Sequence, residues 1–356
     1  MEKFLELDDI YLYPTDTTNF GNLGADKITN LVINEEENSQ SLPIFTAPMA
    51  SVVGGCNYQA FINRGIRPIL PRTEDLGYRL EGCQYIFCAF TLREIQERFL
   101  SSKRISDKLF RVCIENGNGH DREIINVSRA LKAMYGNQIC IMAGNIGNPK
   151  LYIDYCKADI DYARVGLCSG TLAIPEVYGF HYPMASLLLD TMGVRNTSCI
   201  GLKTRTKIIA DGGIITHVDI IKAMALGADY VMMGRGLVKL AEAAGPAISK
   251  TAEGKEELTY GAVSQMGKAE LMERKVKRLY SAQDLYDPSI TPNGYDIVHN
   301  IRRPEEAKEE WVNVTSNLHM WSLEFIDVVR NAFIYTRATN WKEFKANVKI
   351  LRRGSE

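Results

Sequence analysis

Two short glycine-rich sequences in the second half of the chain have the composition of phosphate-binding turns. The sequence DGG at 211–213 ends one apolar run, and GRG at 234–236 ends the next. Backbone N–H groups in such turns bind anions, and Arg235 adds positive charge. Asp211 would repel a phosphate, but its carboxylate can accept hydrogen bonds from both hydroxyls of a ribose. Together the turns indicate a site for a nucleotide or a sugar phosphate.

Eight short apolar runs must position these turns. They are near-continuously apolar, as parallel strands covered on both faces are. The runs span residues 43–49, 66–70, 85–90, 109–115, 139–145, 162–168, 207–213 and 230–235. Helix-compatible stretches alternate with them, including 122–135 after the candidate N-cap Asp121, and 217–226 before Gly227. The pattern predicts an α/β fold, a (β/α)8 TIM barrel, with a doubly wound sheet as the structural alternative.

A barrel of this kind carries its active site at the carboxyl ends of its strands. The predicted strand ends are rich in polar residues and glycine: Pro48-Met49, Pro71-Arg72, Glu115-Asn116, Gly144-Asn145, Gly166-Leu167-Cys168, and the turns 211–213 and 234–236. The loops after strands seven and eight are the common phosphate site of such barrels. We therefore expect one ligand site at this mouth, although glycines also simply end strands.

The rest of the chain predicts a single barrel domain over residues 1–356. Residues 249–311 are rich in Lys, Glu and Tyr, and they are expected to form a flap over the mouth or a solvated insertion. Within them, 271–280 has the pattern of a helix and 288–294 that of a loop. The last segment, 318–350, is mostly helical in pattern and is expected to pack back on the barrel.

Composition excludes several classes of function. The 356 residues are 46% hydrophobic with a formal net charge of −1, which argues against disorder and against nucleic-acid binding by bulk charge. No apolar run could cross a bilayer, and the acidic N-terminus lacks a signal sequence, so we expect a soluble cytoplasmic protein without a membrane partner. The eight cysteines form no CxxC pair and no zinc-like cluster, so we expect reduced thiols and no metal.

Several segments resemble the IMP dehydrogenase / GMP reductase family. The run IIADGGIITHVDIIKAMALGADYVMMGRG at 208–236 is similar to the phosphate-binding half of these enzymes. Further similar segments are LELDDIYLYP at 5–14, LPIFTAPMASV at 42–52, IMAGNIG at 141–147 and RVGLCSGT at 164–171, the last at the start of the catalytic loop. The resemblance spans roughly residues 5–350 and is poor over 265–300.

The details are closer to GMP reductase. About 35 residues separate the second strand-like run from the fourth, so the CBS module of IMP dehydrogenases is missing. The sequences YGAVS at 260–264 and EAK at 306–308 resemble reductase motifs, whereas Arg164 looks more like the dehydrogenase.

The resemblance also implies roles for individual residues. Met49 would lie against the base and Asp211 would hold the ribose, while Glu306 would assist proton transfer. The implied nucleotide site comprises Met49, Ser169, Gly170, Thr171, Asp211, Gly212, Gly213, Gly234, Arg235, Tyr260 and Gly261. The implied site for NAD or NADP comprises Glu115, which replaces a family aspartate, Gly144, Asn145 and Arg164. A purine nucleotide such as GMP or IMP is the implied ligand, and a homotetramer the implied assembly.

The catalytic loop departs from the family pattern. The family reaction adds a cysteine thiolate to C2 of the purine while hydride moves to or from that carbon. Here the cysteine position is Ala173, and the threonine two residues later is Pro175; neither side chain is a nucleophile. Cys168, five residues earlier, is the only thiol on this loop and is the candidate replacement, unless it is a small apolar residue at a strand end.

Three hypotheses follow. The first is a divergent purine-nucleotide oxidoreductase that uses Cys168, with Glu115 and Glu306, or no covalent adduct. The second is an enzyme with non-redox chemistry on a purine-like nucleotide. Its candidate acid–base groups are Glu115, Glu176, Glu306, His120 and His181. The third is a non-catalytic nucleotide-binding protein. Barrels that bind FMN or sugar phosphates share the two phosphate loops, and a yellow purified protein would favour a flavin.

Overall fold

The computed structural model describes residues 4–15, 41–101, 108–116, 119–167, 180–202, 206–250, 255–259, 268–281 and 309–353. After a short strand, β1 (Ile10–Tyr13), eight parallel strands follow in the predicted positions. They are β2 (Ile44–Thr46), β3 (Ile69–Leu70), β4 (Phe87–Phe90), β5 (Phe110–Glu115), β6 (Ile139–Ile146), β7 (Tyr162–Val165), β8 (Lys207–Asp211) and β9 (Tyr230–Met233).

These eight strands form one sheet in the order β2-β9-β8-β7-β6-β5-β4-β3. A parallel bridge between Phe45 and Arg67 joins β2 to the residues that lead into β3, so the sheet closes on itself. The Thr46 N–H donates to the Arg67 carbonyl at 3.0 Å across this seam. The predicted (β/α)8 barrel is thereby confirmed, and the doubly wound sheet is excluded.

Helices follow the barrel strands. They are α1 (Tyr58–Ile62), α2 (Leu76–Gly82), α3 (Leu92–Ile95), α4 (Arg122–Tyr135), α5 (Leu151–Lys157), α6 (Met184–Thr197), α7 (His217–Ala225) and α8 (Arg235–Val238). The predicted caps are present: Asp121 accepts from the Glu123 N–H at 2.9 Å, and Gly227, with φ +105°, follows the end of α7. Helix α4 has the predicted bounds.

Aromatic rings fill the barrel near the amino ends of its strands. Phe45, Phe87, Tyr162 and Tyr230 come from four different strands, and their ring centroids lie 5.3–5.8 Å apart in edge-to-face contacts. The guanidinium of Arg67 lies 5.1 Å from the centroid of the Tyr230 ring. This apolar layer, with its cation–π contact, stabilises the end of the barrel opposite the predicted site.

A second, antiparallel sheet follows the barrel. Its strands are β10 (Ala247–Lys250), β11 (Glu256–Thr259), β12 (Lys277–Ser281) and β13 (Glu309–Asn313), in the order β11-β10-β12-β13. The helix predicted at 271–280 was wrong in its second half. Helix α9 (Lys268–Glu273) ends early, because Lys275 takes a left-handed φ of +48° and the chain then enters β12. The loop predicted at 288–294 lies outside the described residues.

The C-terminal segment returns to the barrel, as predicted. Helices α10 (Leu318–Thr336) and α11 (Trp341–Asn347) lead into β14 (Lys349–Arg352), which pairs antiparallel with β1. Phe325, Val329 and Phe333 are fully buried along α10 and belong to the main core. None of the helices in the described part of the chain is both long and apolar enough to cross a bilayer.

Candidate functional site

Four polar side chains meet at the carboxyl ends of four consecutive barrel strands, β5 to β8. Arg164 Nε donates to Asp211 Oδ2 at 2.8 Å, and Asn145 Nδ2 donates to the same oxygen at 2.8 Å. Arg164 Nη1 forms an ion pair with Glu115 Oε1. The side chains of Glu115, Arg164 and Asp211 are 5%, 9% and 13% exposed. We call these four residues the strand-end cluster.

Strand register explains why these side chains meet. In the parallel pairing, Glu115 is level with Gly144, and Gly144 is level with Arg164. A Cβ on residue 144 would lie 2.5 Å from the Arg164 Cβ. Glycine at this position therefore leaves the space in which the arginine side chain passes between its two acidic partners.

The strand-end cluster is buried and holds one guanidinium against two carboxyl groups. Burial alone would lower the pKa of Arg164, but the carboxylates of Glu115 and Asp211 outweigh it and raise this pKa well above its ordinary value. Arg164 is thus a permanent cation. The surplus of carboxyl oxygens suits ligand groups that donate hydrogen bonds, such as the hydroxyls of a ribose.

Cys113 belongs to the same region and was missed by the sequence analysis. Its Sγ lies 3.8 Å from Arg164 Nη1, because residues two apart on a strand share a face and Cys113 precedes Glu115 by two. That spacing could have indicated the contact. Burial raises the pKa of the Cys113 thiol to about 12, despite the nearby guanidinium. Cys113 is therefore a thiol at neutral pH and a poor nucleophile.

The DGG turn has the backbone that its glycines suggest. Gly212 and Gly213 have φ values of +115° and +72°, a region that favours glycine. The other predicted turn begins at Gly234, directly after β9. Arg235 does not stand alone there, because its Nη2 donates to Glu310 Oε1 of β13 at 2.5 Å.

Met49 lies in the loop after β2 and is buried. The neighbouring Ala47 N–H donates to the Met233 carbonyl at 2.8 Å, which brings this loop to the carboxyl end of β9. Met49 and the second glycine turn are therefore on the same side of the barrel.

Two histidines were candidates for acid–base chemistry. His120 Nε2 accepts from the Gly147 N–H at 3.0 Å, and burial lowers the pKa of this imidazole. It is neutral near pH 7, and that nitrogen holds the chain just after Asn145. His181 pairs instead with Glu6 at 2.5 Å, at the start of α6. Neither histidine contacts the strand-end cluster through the hydrogen bonds observed among the described residues.

Several predicted residues lie outside the described ranges. They are Cys168, Ser169, Gly170, Thr171, Ala173, Pro175, Glu176, Tyr260, Gly261 and Glu306. Within the described ranges, no group of three or more His, Cys, Asp or Glu residues is arranged to hold a metal ion.

The fold is a TIM barrel, and its polar strand ends lie at the carboxyl mouth, where barrels of this kind carry their active sites. The family model of the IMP dehydrogenase / GMP reductase domain matches residues 99–355. The chain belongs to this family, as its sequence motifs predicted.

Curated relatives carry both names of the family. An inosine-5'-monophosphate dehydrogenase of Chlorobaculum parvum is 28% identical over 242 residues, which cover 68% of this chain and 44% of the relative. A GMP reductase of Vibrio cholerae is 31% identical over 150 residues, 42% of this chain and 41% of the relative. A GMP reductase of Vibrio vulnificus is 25% identical over 249 residues, 70% of this chain and 62% of the relative. The chain spans less than half the length of the first two relatives.

Proposed function

We propose that this chain binds a purine nucleoside 5′-monophosphate, such as GMP or IMP, at the carboxyl mouth of its barrel. We further propose that it is a divergent oxidoreductase of purine nucleotides linked to NAD or NADP. The observation that carries the proposal is the strand-end cluster, in which Arg164 and Asn145 fix the carboxylate of Asp211. The names of the relatives support the ligand class.

In this proposal Asp211 holds the ribose of the nucleotide. Its Oδ2 is fixed by two donors, so the carboxylate is oriented before the ligand arrives. Oδ1, for which no hydrogen bond is observed with the described residues, can then accept from a ribose hydroxyl. The N–H groups of Gly212, Gly213 and Gly234 would bind the phosphate. The family resemblance adds Met49 against the base, and Ser169, Gly170, Thr171, Tyr260 and Gly261 around the phosphate.

A dinucleotide fits the other half of the strand-end cluster. Its nicotinamide ribose needs hydrogen-bond acceptors, and Glu115 supplies a carboxylate whose position is set by Arg164. Gly144 and Asn145 would line the same subsite. When bound, the nicotinamide ring would supply the hydride exchange. The chain's own groups bind the two ribose units and orient them.

The cysteine step is where this chain departs from the family chemistry, since Ala173 and Pro175 stand in the nucleophile loop. The high pKa of Cys113 makes it a poor replacement. Cys168 remains the candidate nucleophile, with Glu306 as the candidate group for proton transfer. The same two substitutions favour a second candidate function, in which the chain binds the nucleotide but catalyses non-redox chemistry or none.

The resemblance also supports a proposed organisation. The chain would be a single barrel domain, with residues 249–311 as a flap or insertion, and four copies would assemble into a homotetramer. Size-exclusion chromatography with light scattering tests the assembly. A monomer at micromolar concentration would contradict it.

The decisive assay mixes purified protein with GMP and NADPH, and separately with IMP and NAD, and follows nicotinamide absorbance. Cys168→Ala is assayed beside the wild-type protein, and Ala173→Cys is a gain-of-function probe. Turnover that Cys168→Ala abolishes would support a relocated nucleophile, and turnover that survives would support a mechanism without an adduct. Nucleotide binding without turnover would support the second candidate. No binding of GMP or IMP would overturn the proposal.

A further inference from the structure

An ion pair links the barrel mouth to the second sheet. Arg235 lies two residues after the end of β9, and its Nη2 lies 2.5 Å from Oε1 of Glu310 on β13. Among the described strands, β13 lies at the edge of the second sheet and pairs with β12. The cation predicted for the phosphate site thus has a carboxylate partner from another part of the fold.

This pair differs from the strand-end cluster in its exposure. The Arg235 and Glu310 side chains are 26% and 38% exposed, whereas those of Arg164 and Glu115 are 9% and 5% exposed. A partly solvated ion pair contributes little net stability and exchanges readily. A phosphate dianion presents more charge to a guanidinium than a carboxylate does, and it can be bound in a bidentate manner.

The backbone keeps Glu310 near Arg235 even when the ion pair breaks. The Thr315 N–H donates to the Lys239 carbonyl at 2.9 Å, and the Ala241 N–H donates to the Ser316 carbonyl at 2.9 Å. These bonds join the residues after β13 to the residues after α8. A competing anion therefore has only to displace one side chain, and the carboxylate stays close enough to return.

We propose that Glu310 competes with the ligand's phosphate for Arg235 and so weakens the binding of phosphate-bearing ligands. The inference rests on the proposed nucleotide site and adds a selectivity to it. A ligand with a dianionic phosphate displaces Glu310, whereas a ligand without one does not. Glu310 is then a specificity residue that sets how much of the affinity depends on the phosphate.

The test compares ligands with and without phosphate on matched variants. Calorimetric titration with GMP and with guanosine is carried out on the wild-type protein, Glu310→Gln and Arg235→Met. Glu310→Gln is expected to bind GMP about threefold to fivefold more tightly, because it removes one partly exposed competitor. Guanosine affinity should be unchanged. Arg235→Met should weaken the binding of GMP and leave the affinity for guanosine unchanged. In the double variant it should abolish the effect of Glu310→Gln.

The control is Glu270→Gln. Glu270 is also a partly exposed carboxylate paired with an arginine, Arg274, at 3.2 Å, but it lies on α9. The Glu270→Gln substitution should leave the affinities for GMP and for guanosine unchanged. Equal GMP affinity in the wild-type protein and Glu310→Gln would contradict the proposed competition. So would a gain in guanosine affinity as large as the gain in GMP affinity.

A second measurement separates failure of the competition from failure of the nucleotide site. Melting temperatures are compared in inorganic phosphate and in chloride at equal ionic strength. Phosphate should raise the melting temperature of Glu310→Gln more than that of the wild-type protein. It should leave the melting temperature of Arg235→Met unchanged. If none of the three proteins binds GMP, the proposed function fails. The comparison of melting temperatures still tests whether Glu310 competes with phosphate for Arg235. Identical phosphate effects in all three proteins would overturn this competition.

Discussion

The two ends of the barrel use the same groups in different ways. At the amino end, Asp229 Oδ2 accepts from the Ile208 N–H and from Arg195 Nη1, each at 2.8 Å. Asp161 Oδ2 accepts in the same way from the Ile141 N–H at 2.6 Å and from Lys132 Nζ at 2.8 Å. Each aspartate thereby binds the backbone of the neighbouring strand and at least one basic side chain.

At the carboxyl end, the hydrogen bonds that the Asp211 carboxylate accepts from the described residues come from side chains, those of Arg164 and Asn145. A carboxylate that binds backbone N–H groups fixes the sheet and cannot change partners without disturbing it. One that is held by side chains can accept a ligand without changing the strands. The type of hydrogen-bond partner, and not the charge, therefore distinguishes the structural carboxylates of this barrel from the one that we propose binds a ligand.

The largest effect is expected when the shared cation of the strand-end cluster is removed. In Arg164→Met, the Glu115 and Asp211 carboxyl groups stay buried and lose their common partner. We expect the free energy of unfolding to fall by about 3–5 kcal/mol, as when a buried ion pair loses one member. Urea unfolding measures this value. Adding Glu115→Gln to the same chain should recover part of the loss, and a loss near zero would show that the cluster is not ionised.

A smaller effect is expected when the aspartates at the two ends of the barrel are substituted and compared. Asp229→Asn keeps an acceptor for the Ile208 N–H but removes the charge that faces Arg195, and Lys345 at 3.6 Å. We expect a loss of about 1.5–3 kcal/mol in the free energy of unfolding, typical of hydrogen bonds to charged groups. Asp211→Asn should cost about 1 kcal/mol or less, because Arg164 keeps Glu115. If Asp211→Asn lowered the urea midpoint more than Asp229→Asn, the distinction between the two ends would be contradicted.

The smallest effect concerns Cys113, beneath the strand-end cluster. Its pKa is raised to about 12 from an ordinary 9.0, so the folded protein keeps this proton after the unfolded chain has lost it. Stability is therefore lost as the pH rises from about 9 towards 12. Between pH 8 and pH 10 the wild-type protein should lose about 1 kcal/mol more than Cys113→Ala.

Urea unfolding at a series of pH values checks this difference. The exposed Cys56 provides the control, and Cys56→Ala should follow the wild-type curve. A Cys113→Ala curve parallel to that of the wild-type protein would mean that the thiol is not held protonated. Any turnover of the wild-type protein should survive Cys113→Ala.

The sequence predicts the barrel well because its signals are local. Continuous apolar runs identified the eight parallel strands, and Asp121 and Gly227 marked helix ends. The second sheet was missed because its strands are short and polar: β11 reads EELT, and 271–280 has a helical pattern that Lys275 interrupts. The pairing of β1 with β14 joins opposite ends of the chain, and no local pattern predicts it.

The candidate site was predicted in composition but not in its contacts. The strand-end rule and the family resemblance both selected Glu115, Asn145 and Asp211, whereas Arg164 came from the resemblance alone. Their hydrogen bonds and ion pairs join residues 47 to 66 positions apart, so only the register of the folded barrel brings them together. The Arg235–Glu310 pair depends on the second sheet and was therefore outside the reach of sequence reasoning.

The most direct test of the account is the affinity of GMP and IMP for Asp211→Asn and Asp229→Asn, measured by calorimetry beside the wild-type protein. The account predicts that the wild-type protein and Asp229→Asn bind with affinities within about twofold of each other. Asp211→Asn should bind at least about tenfold more weakly, since it loses a charged acceptor for the ribose hydroxyls. Equal binding by Asp211→Asn, or no binding by the wild-type protein, would contradict the claim that the carboxyl mouth is a nucleotide site.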